Sequence, residues 1–344
     1  MPNIINRTYV ILLPKEANAT SVKNFRPIAC CSVIYKIISK ILTSRMQGDL
    51  NNVVSENHSP FVKGIRVIFY NIIFRHELVK SYSRKGISPR CMVKIDLQKA
   101  SDSVEWPFIK HLMLELGFPY KFVNWVMACL TTASYTFNVN GDLTRPFAAM
   151  KGLRQGDLIS PYLFVICIEY HNRCLLQLRK NAAFHFHPRC KRLNLIHMCF
   201  ADDLLLFSRG DVDSVSQLFE VFSLFSVASG LKANQAKSSI YLGGVSMSVQ
   251  DSIVTKFNFI KGELPFRYLG IPLSSKKLSV IQCQPLVKKI ICRIEKWSSK
   301  LLSYIGRLQL IKSVLFGVQA CRVFLWKIWH LQKSSYCLGA YMST

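Results

Sequence analysis

Acidic residues are scarce in this chain. Nineteen Asp and Glu stand against 45 Lys and Arg over 344 residues, a formal net charge of +26. So large a basic excess in a folded chain points to a polyanionic partner, a nucleic acid before an acidic membrane surface. The basic residues run the whole length, which suits a long groove better than a short docking tail. Zinc-type cysteine spacing is missing too. The twelve cysteines include no Cys-x-x-Cys pair, and Cys190, His197 and Cys199, though close in sequence, read as core filler beside strands. The opening residues "MPNIINRTYVILLPKEAN" hold no apolar run adequate for a secretory signal. No uncharged apolar stretch approaches the roughly 20 residues of a membrane helix. Internal repeats and low-complexity linkers are absent. A reducing intracellular compartment (nucleus, cytoplasm or organelle) fits these absences, and no membrane partner is expected.

Half of the residues are hydrophobic, enough for a sizeable core. Residues 33–47 place Ile34, Ile37, Ile38, Ile41 and Leu42 on one helical face, with Lys36, Lys40 and Arg45 off it, and so predict an amphipathic helix. "CMVKIDL" at 91–97 reads as a strand, followed by a helical pattern through "EWPFIKHLMLEL". Tyr135, Phe137 and Val139 alternate ahead of Asn140-Gly141, a hairpin signal. Residues 160–178 read as an apolar helix. "CFADDLLLF" at 199–207 reads as strand, turn, strand, and "DVDSVSQLFEVFSLFSVASG" as a helix capped by Asp211 or Asp213 and stopped by Gly230. Helices alternating with short strands indicate an α+β core. Near the C-terminus, Ile290, Ile294, Trp297 and Leu301 share a helical face beside a stripe of Lys289, Arg293, Lys296 and Lys300. That stripe is either a solvated face or a surface that tracks phosphates. Residues 336–344 are expected to fray.

Asp202 and Asp203 sit side by side inside an apolar run. Burying a lone carboxylate costs several kcal/mol, and two adjacent ones cost more. A third acid, Asp96, ends the apolar strand "MVKIDL". If that strand lies beside the 199–207 hairpin, three carboxylates converge, repel and raise each other's pKa. A pair of Mg²⁺ ions about 3.5–4 Å apart removes the repulsion and serves phosphoryl transfer. Taken alone, Asp-Asp near a turn is ordinary turn chemistry. The neighbouring motifs decide between the two.

"VKIDLQKASDSVEW", "GLRQGDLISPYLF" and "FADDLLLF" occur in that order. Together they resemble the reverse transcriptase domain of plant LINE-type non-LTR retrotransposons. "LLPKEANATSVKNFRPIACCSVIYKIISKIL", "SGLKANQAKSSIYLGG", "FRYLGIPL" and "KWSSKLLSYIGRLQLIKSVL" are similar to further segments of that family, so the resemblance covers roughly residues 8–320. It implies a right-hand polymerase fold, with fingers at 1–90, a palm at 91–260 holding an interleaved fingers segment, and a primer grip with partial thumb at 261–335. It implies an RNA-directed DNA polymerase in which a primer 3′-OH attacks the α-phosphate of a deoxynucleoside triphosphate. Asp96, Asp202 and Asp203 would hold two Mg²⁺ ions, with Mn²⁺ as a substitute. Lys237 resembles the lysine that protonates the departing pyrophosphate, or is an ordinary surface lysine. Gln155 and Gly156 would lie near the incoming nucleotide and template. Arg26 and Lys63 would meet phosphates, although surface charge explains Lys63 equally well. The partners implied are an RNA template, a DNA primer, their hybrid and deoxynucleoside triphosphates.

Three departures from the family pattern stand out. Ser101 replaces an aromatic residue five positions after Asp96, which predicts weak discrimination against ribonucleotides. Leu158 stands where the family has proline, and Ile65 where it tends to have arginine. The family's elements also carry an endonuclease domain, which these residues lack. The second expectation is therefore a catalytically silent nucleic-acid-binding remnant of such a polymerase.

Overall fold

The computed structural model describes residues 1–2, 4–15, 18–55, 86–139, 141–200, 203–268 and 271–275, with isolated positions at 78–79, 82, 84, 284, 288, 291–292 and 295. Two compact units divide the chain, one of residues 1–66 and 86–261, the other of 67–85 and 262–344.

The first unit begins with an antiparallel pair, β1 (Arg7–Pro14) and β2 (Phe25–Cys31), with Val10 opposite Ala29. Helix α1 (Val33–Val53) follows, capped by the Ser32 side chain on the Tyr35 N–H. Its register corrects the expectation from the isoleucine stripe. Ile34, Ile37 and Ile41 are 57%, 55% and 49% exposed, whereas Tyr35, Leu42, Met46 and Leu50 are buried. The cause is polar: Tyr35 and Ser39 both donate hydrogen bonds to the buried Asp157 carboxylate, and those bonds set the rotation of the helix.

Strand β3 (Arg90–Gln98) is buried through its first four residues. Lys99, left-handed at φ 47, turns the chain into the one-turn helix α2 (Ala100–Ser103). Helix α3 (Trp106–Glu115) starts with Pro107 in its first turn, where a missing N–H costs nothing, and α4 (Tyr120–Thr131) follows. The hairpin read at Asn140-Gly141 is present: β4 (Ser134–Val139) pairs with β5 (Asp142–Leu143), Val139 opposite Asp142, with Gly141 at φ +99. Asn140 lies outside the described residues. After β6 (Phe147–Ala148) comes α5 (Ser160–Gln177), whose Tyr170 meets Phe108 of α3 edge-on at 5.3 Å. Next are β7 (His197–Phe200), β8 (Asp203–Ser208) and α6 (Val212–Ser229). Asp211, not Asp213, caps α6 by accepting from the Ser214 N–H at 2.8 Å, and Gly230 ends it at φ +77. Short β9 (Lys232–Ala233), β10 (Ser239–Gly243), α7 (Met247–Phe257) and β11 (Ile260–Lys261) complete this unit.

Two sheets result. One runs β2-β1-β4-β5, with β6 also on β4; β4 returns to pair in parallel with β1 although more than 100 residues separate them. The other runs β11-β10-β3-β8-β7, with β9 also on β3, so β3 is flanked by β8 and β10. In the second unit, β12 (Phe266–Tyr268) pairs with β13 (Ile271–Leu273). Lys63 and the stripe Lys289, Arg293, Lys296 and Lys300 lie outside the described residues.

Candidate active site

The polar end of β3 lies where an otherwise buried strand reaches solvent. Asp96 is directly opposite Asp203, the first residue of β8, in an antiparallel ladder. Directly opposed residues share a sheet face, with Cβ atoms about 4.5–5.5 Å apart. The sequence therefore brings two of its three expected acids together. Asp202, the third, precedes Asp203 in the chain and lies outside the described residues. Phe200 pairs with Asp203 across the hairpin. Lys94, two residues before Asp96 on the same face, has its Nζ 3.9 Å from Asp203 Oδ1. Like charges directly opposed on neighbouring strands destabilise a sheet. Hard carboxylate oxygens in such a pair form a donor set that fits a divalent cation. Among the described residues, no group of three or more His, Cys, Asp or Glu is gathered as for a metal ion.

Asp96 is held by its own peptide. Its N–H donates to Ser238 Oγ at 3.1 Å, and its carbonyl accepts from the Asn234 N–H at 2.8 Å. The turn that makes these bonds closes through the Lys237 N–H to Asn234 O at 3.1 Å, and Lys237 is exposed. Ser238, fully buried, and Asn234 were not foreseen from sequence. Asn and Ser in a loop give no signal of which strand they will bind.

A second group forms a cleft of about 250 Å³, lined by Pro27 and Ala29 of β2, Asp102 of α2, aromatic residues of β4 and β6, and Lys151 to Gln155. Ser101 stands beside it, its carbonyl accepting from the Leu153 N–H at 2.6 Å. Gly152 donates to Val104 O at 2.8 Å and adopts φ +85; a Cβ there would lie 2.6 Å from Asp102 O, so only glycine fits. Gln155 and Gly156 are exposed, and Arg26 lies exposed on β2 beside Pro27. Gly156, at φ +103, approaches Ala29 O so closely that a Cβ would lie 3.2 Å away. Leu158, the departure from proline, is 43% exposed.

Arg154 and Asp157, flanking Gln155 and Gly156, are both buried and joined at 3.3 Å. Sequence reading passed over this pair because charges in a polar loop ordinarily face water. Near the opposite end of β3 from Asp96, burial pushes the Cys91 thiol up to about 12.

The fold defines a class first. With TM-scores of 0.52 and 0.51, the chain superposes on telomerase from Candida tropicalis and from Candida albicans, each solved with a fragment of telomeric RNA. Identity is 10% and 13%, over 80% of this chain and 44% and 46% of those chains. The architecture is that of a right-hand polymerase, α+β in its described residues. Residues 13–273 match the reverse transcriptase (RNA-dependent DNA polymerase) family, and the chain belongs to it. Curated relatives include proteins of a transposon and of retrotransposable elements. The Transposon TX1 149 kDa protein of Xenopus laevis is 30% identical over 92% of this chain, and a Pol polyprotein of retrotransposable element R2 from Popillia japonica 26% over 70%. The chain spans 24% and 32% of their lengths. It is a reverse transcriptase domain, similar in sequence to proteins of transposons and retrotransposable elements. Among the described residues no helix is long and apolar enough to cross a membrane.

Proposed function

We propose that this chain is an RNA-directed DNA polymerase that extends a DNA primer on an RNA template with deoxynucleoside triphosphates. The observation that carries the reading is Asp96 directly opposite Asp203 at the solvent end of the β3–β8 ladder, in a chain of the reverse transcriptase family. The acids Asp96, Asp202 and Asp203 would hold divalent ions, Mg²⁺ or Mn²⁺; bound there, such ions neutralise charge on the attacking and departing oxygens of a phosphoryl transfer. The chain's own residues orient the reactants. The turn at 234–237 fixes the Asp96 peptide, and Lys237 in that turn would donate a proton to the departing pyrophosphate. Gln155, Gly156 and Arg26 receive the nucleotide and template at the cleft, Ser101 faces the sugar, and Lys63 meets phosphate.

Fingers extend to residue 90, a palm to 260, and a primer grip with partial thumb to 335; the pairing of β4 with β1 supports an interleaved fingers segment. Lys289, Arg293, Lys296 and Lys300 track the hybrid's phosphates. The narrower kinship with plant LINE-type elements rests on the sequence motifs alone.

Primer extension on an RNA template with Mg²⁺, beside an Asp202→Ala control, tests the reading. Extension by the wild type and none by the variant supports it. Equal signal from both ends the enzyme reading, and RNA binding retained without extension in either leaves the silent nucleic-acid-binding remnant.

A further inference from the structure

Gln155 and Gly156 are exposed between two side chains that turn inward, and what holds those side chains is unusually complete. Arg154 Nη1 donates to Asn6 Oδ1 at 2.6 Å and to Thr8 Oγ1 at 3.1 Å, and Nη2 to the Cys129 carbonyl at 3.1 Å. Its guanidinium lies 3.9 Å over the Tyr35 ring. Asp157 accepts from the Tyr35 hydroxyl at 2.5 Å and the Ser39 hydroxyl at 2.6 Å. The ion pair itself, at 3.3 Å, joins side chains only 2% and 1% exposed. A buried ion pair gives little net stability over an apolar pair of similar volume, because two charges must be desolvated. What it does give is a fixed geometry. The Asp157 N–H to Arg154 O contact at 3.3 Å closes the turn, and the Gln155 carbonyl accepts from the Ala29 N–H at 2.9 Å. Segments around residues 6–8, 35–39 and 129 thus converge on the two ends of a four-residue turn whose middle faces the cleft.

We propose that Arg154 and Asp157 are positioning residues: from the protein interior they hold Gln155 and Gly156 against β2 and thereby set the affinity for the incoming nucleotide. The nucleotide in this statement rests on the polymerase reading above; the brace on Ala29 does not.

The test uses the full chain as wild type, Asp157→Asn, Tyr35→Phe, Gln155→Ala and the double variant Asp157→Asn/Gln155→Ala. Hydrogen–deuterium exchange reads the Ala29 amide, with the Val93 amide of β3 as reference. Single-nucleotide extension on an RNA template reads KM and kcat. Asp157→Asn is expected to accelerate Ala29 exchange about tenfold more than Val93 exchange. It is also expected to raise KM about tenfold with kcat within about twofold, and the double variant to be no worse than the worse single. Ala29 exchange that merely follows Val93, or KM effects that multiply in the double variant, overturns the proposal. If Asp157→Asn does not fold, Tyr35→Phe, which keeps the ring under Arg154, answers by the same two readouts with the same criteria. A wild-type chain that extends no primer overturns the polymerase reading alone, and the exchange comparison then decides the brace.

Discussion

Ser101 occupies a place where the family's pattern has an aromatic ring, and its carbonyl is already committed to the Leu153 N–H at 2.6 Å. On the polymerase reading, a hydroxymethyl group here would leave open the space that a ring would fill beneath the nucleotide's sugar. Ser101→Tyr is therefore expected to improve selection of deoxy- over ribonucleotides by about tenfold or more, measured as a ratio of kcat/KM. Strong deoxynucleotide preference in the natural chain, unmoved by the substitution, refutes it. His187 yields a different prediction. Burial, helped by the charges of Arg90 and Arg189, lowers its pKa to about 3. An unfolded chain takes up this proton near pH 6.5, and the folded chain does not until about pH 3. Its contribution to stability is thus complete above pH 6.5 and declines as pH falls toward 3, by up to ~1.4 kcal/mol per pH unit. The slope of unfolding free energy between pH 7 and 5 is expected to shrink in His187→Gln; an unchanged slope contradicts the assignment. At this scale the sequence was legible where chemistry breaks pattern, as with Asp96 at the end of an apolar strand. It was illegible for Arg154 and Asp157, whose burial depends on Tyr35, Ser39, Asn6 and Thr8 arriving from distant segments.

Helix α6 shows how much an element's own residues dictate. Its start, run and stop are written locally: Asp211 on the Ser214 N–H, an apolar face including Val215, Leu218 and Phe225, and Gly230 in the left-handed region. Asp211→Ala is expected to lower unfolding free energy by about 1 kcal/mol through loss of the cap; a denaturation midpoint equal to wild type contradicts it. The hairpins of β4–β5 and β7–β8 were equally legible, the first from alternation ahead of Asn140-Gly141, the second from two acids that interrupt an apolar run. Helix α1 was legible in extent but not in rotation. Its isoleucine stripe has the right period, yet the buried acceptor Asp157, which residues 33–47 do not reveal, turns Tyr35 and Ser39 inward instead. The parallel return of β4 to β1 has no local signature at all.

Across the whole molecule, a formal charge of +26 and a right-hand polymerase architecture point the same way. Binding of an RNA–DNA hybrid is expected to weaken by about 10³-fold or more between 50 and 200 mM salt, as release of several condensed counterions requires. A salt-independent affinity contradicts a phosphate-tracking surface. On the polymerase reading proposed above, the ladder that sets Asp96 opposite Asp203 would supply oxygen donors to divalent ions where a hybrid and a triphosphate meet. The most direct measurement is Mn²⁺ binding, followed by electron paramagnetic resonance, to the full chain with a primer–template ended in a dideoxynucleotide and the next deoxynucleoside triphosphate. Wild type is expected to bind two ions in excess of those held by the nucleic acid and nucleotide alone, and Asp96→Asn to lose at least about tenfold in affinity for them. Identical Mn²⁺ binding by the two proteins contradicts an active site built on Asp96 and Asp203.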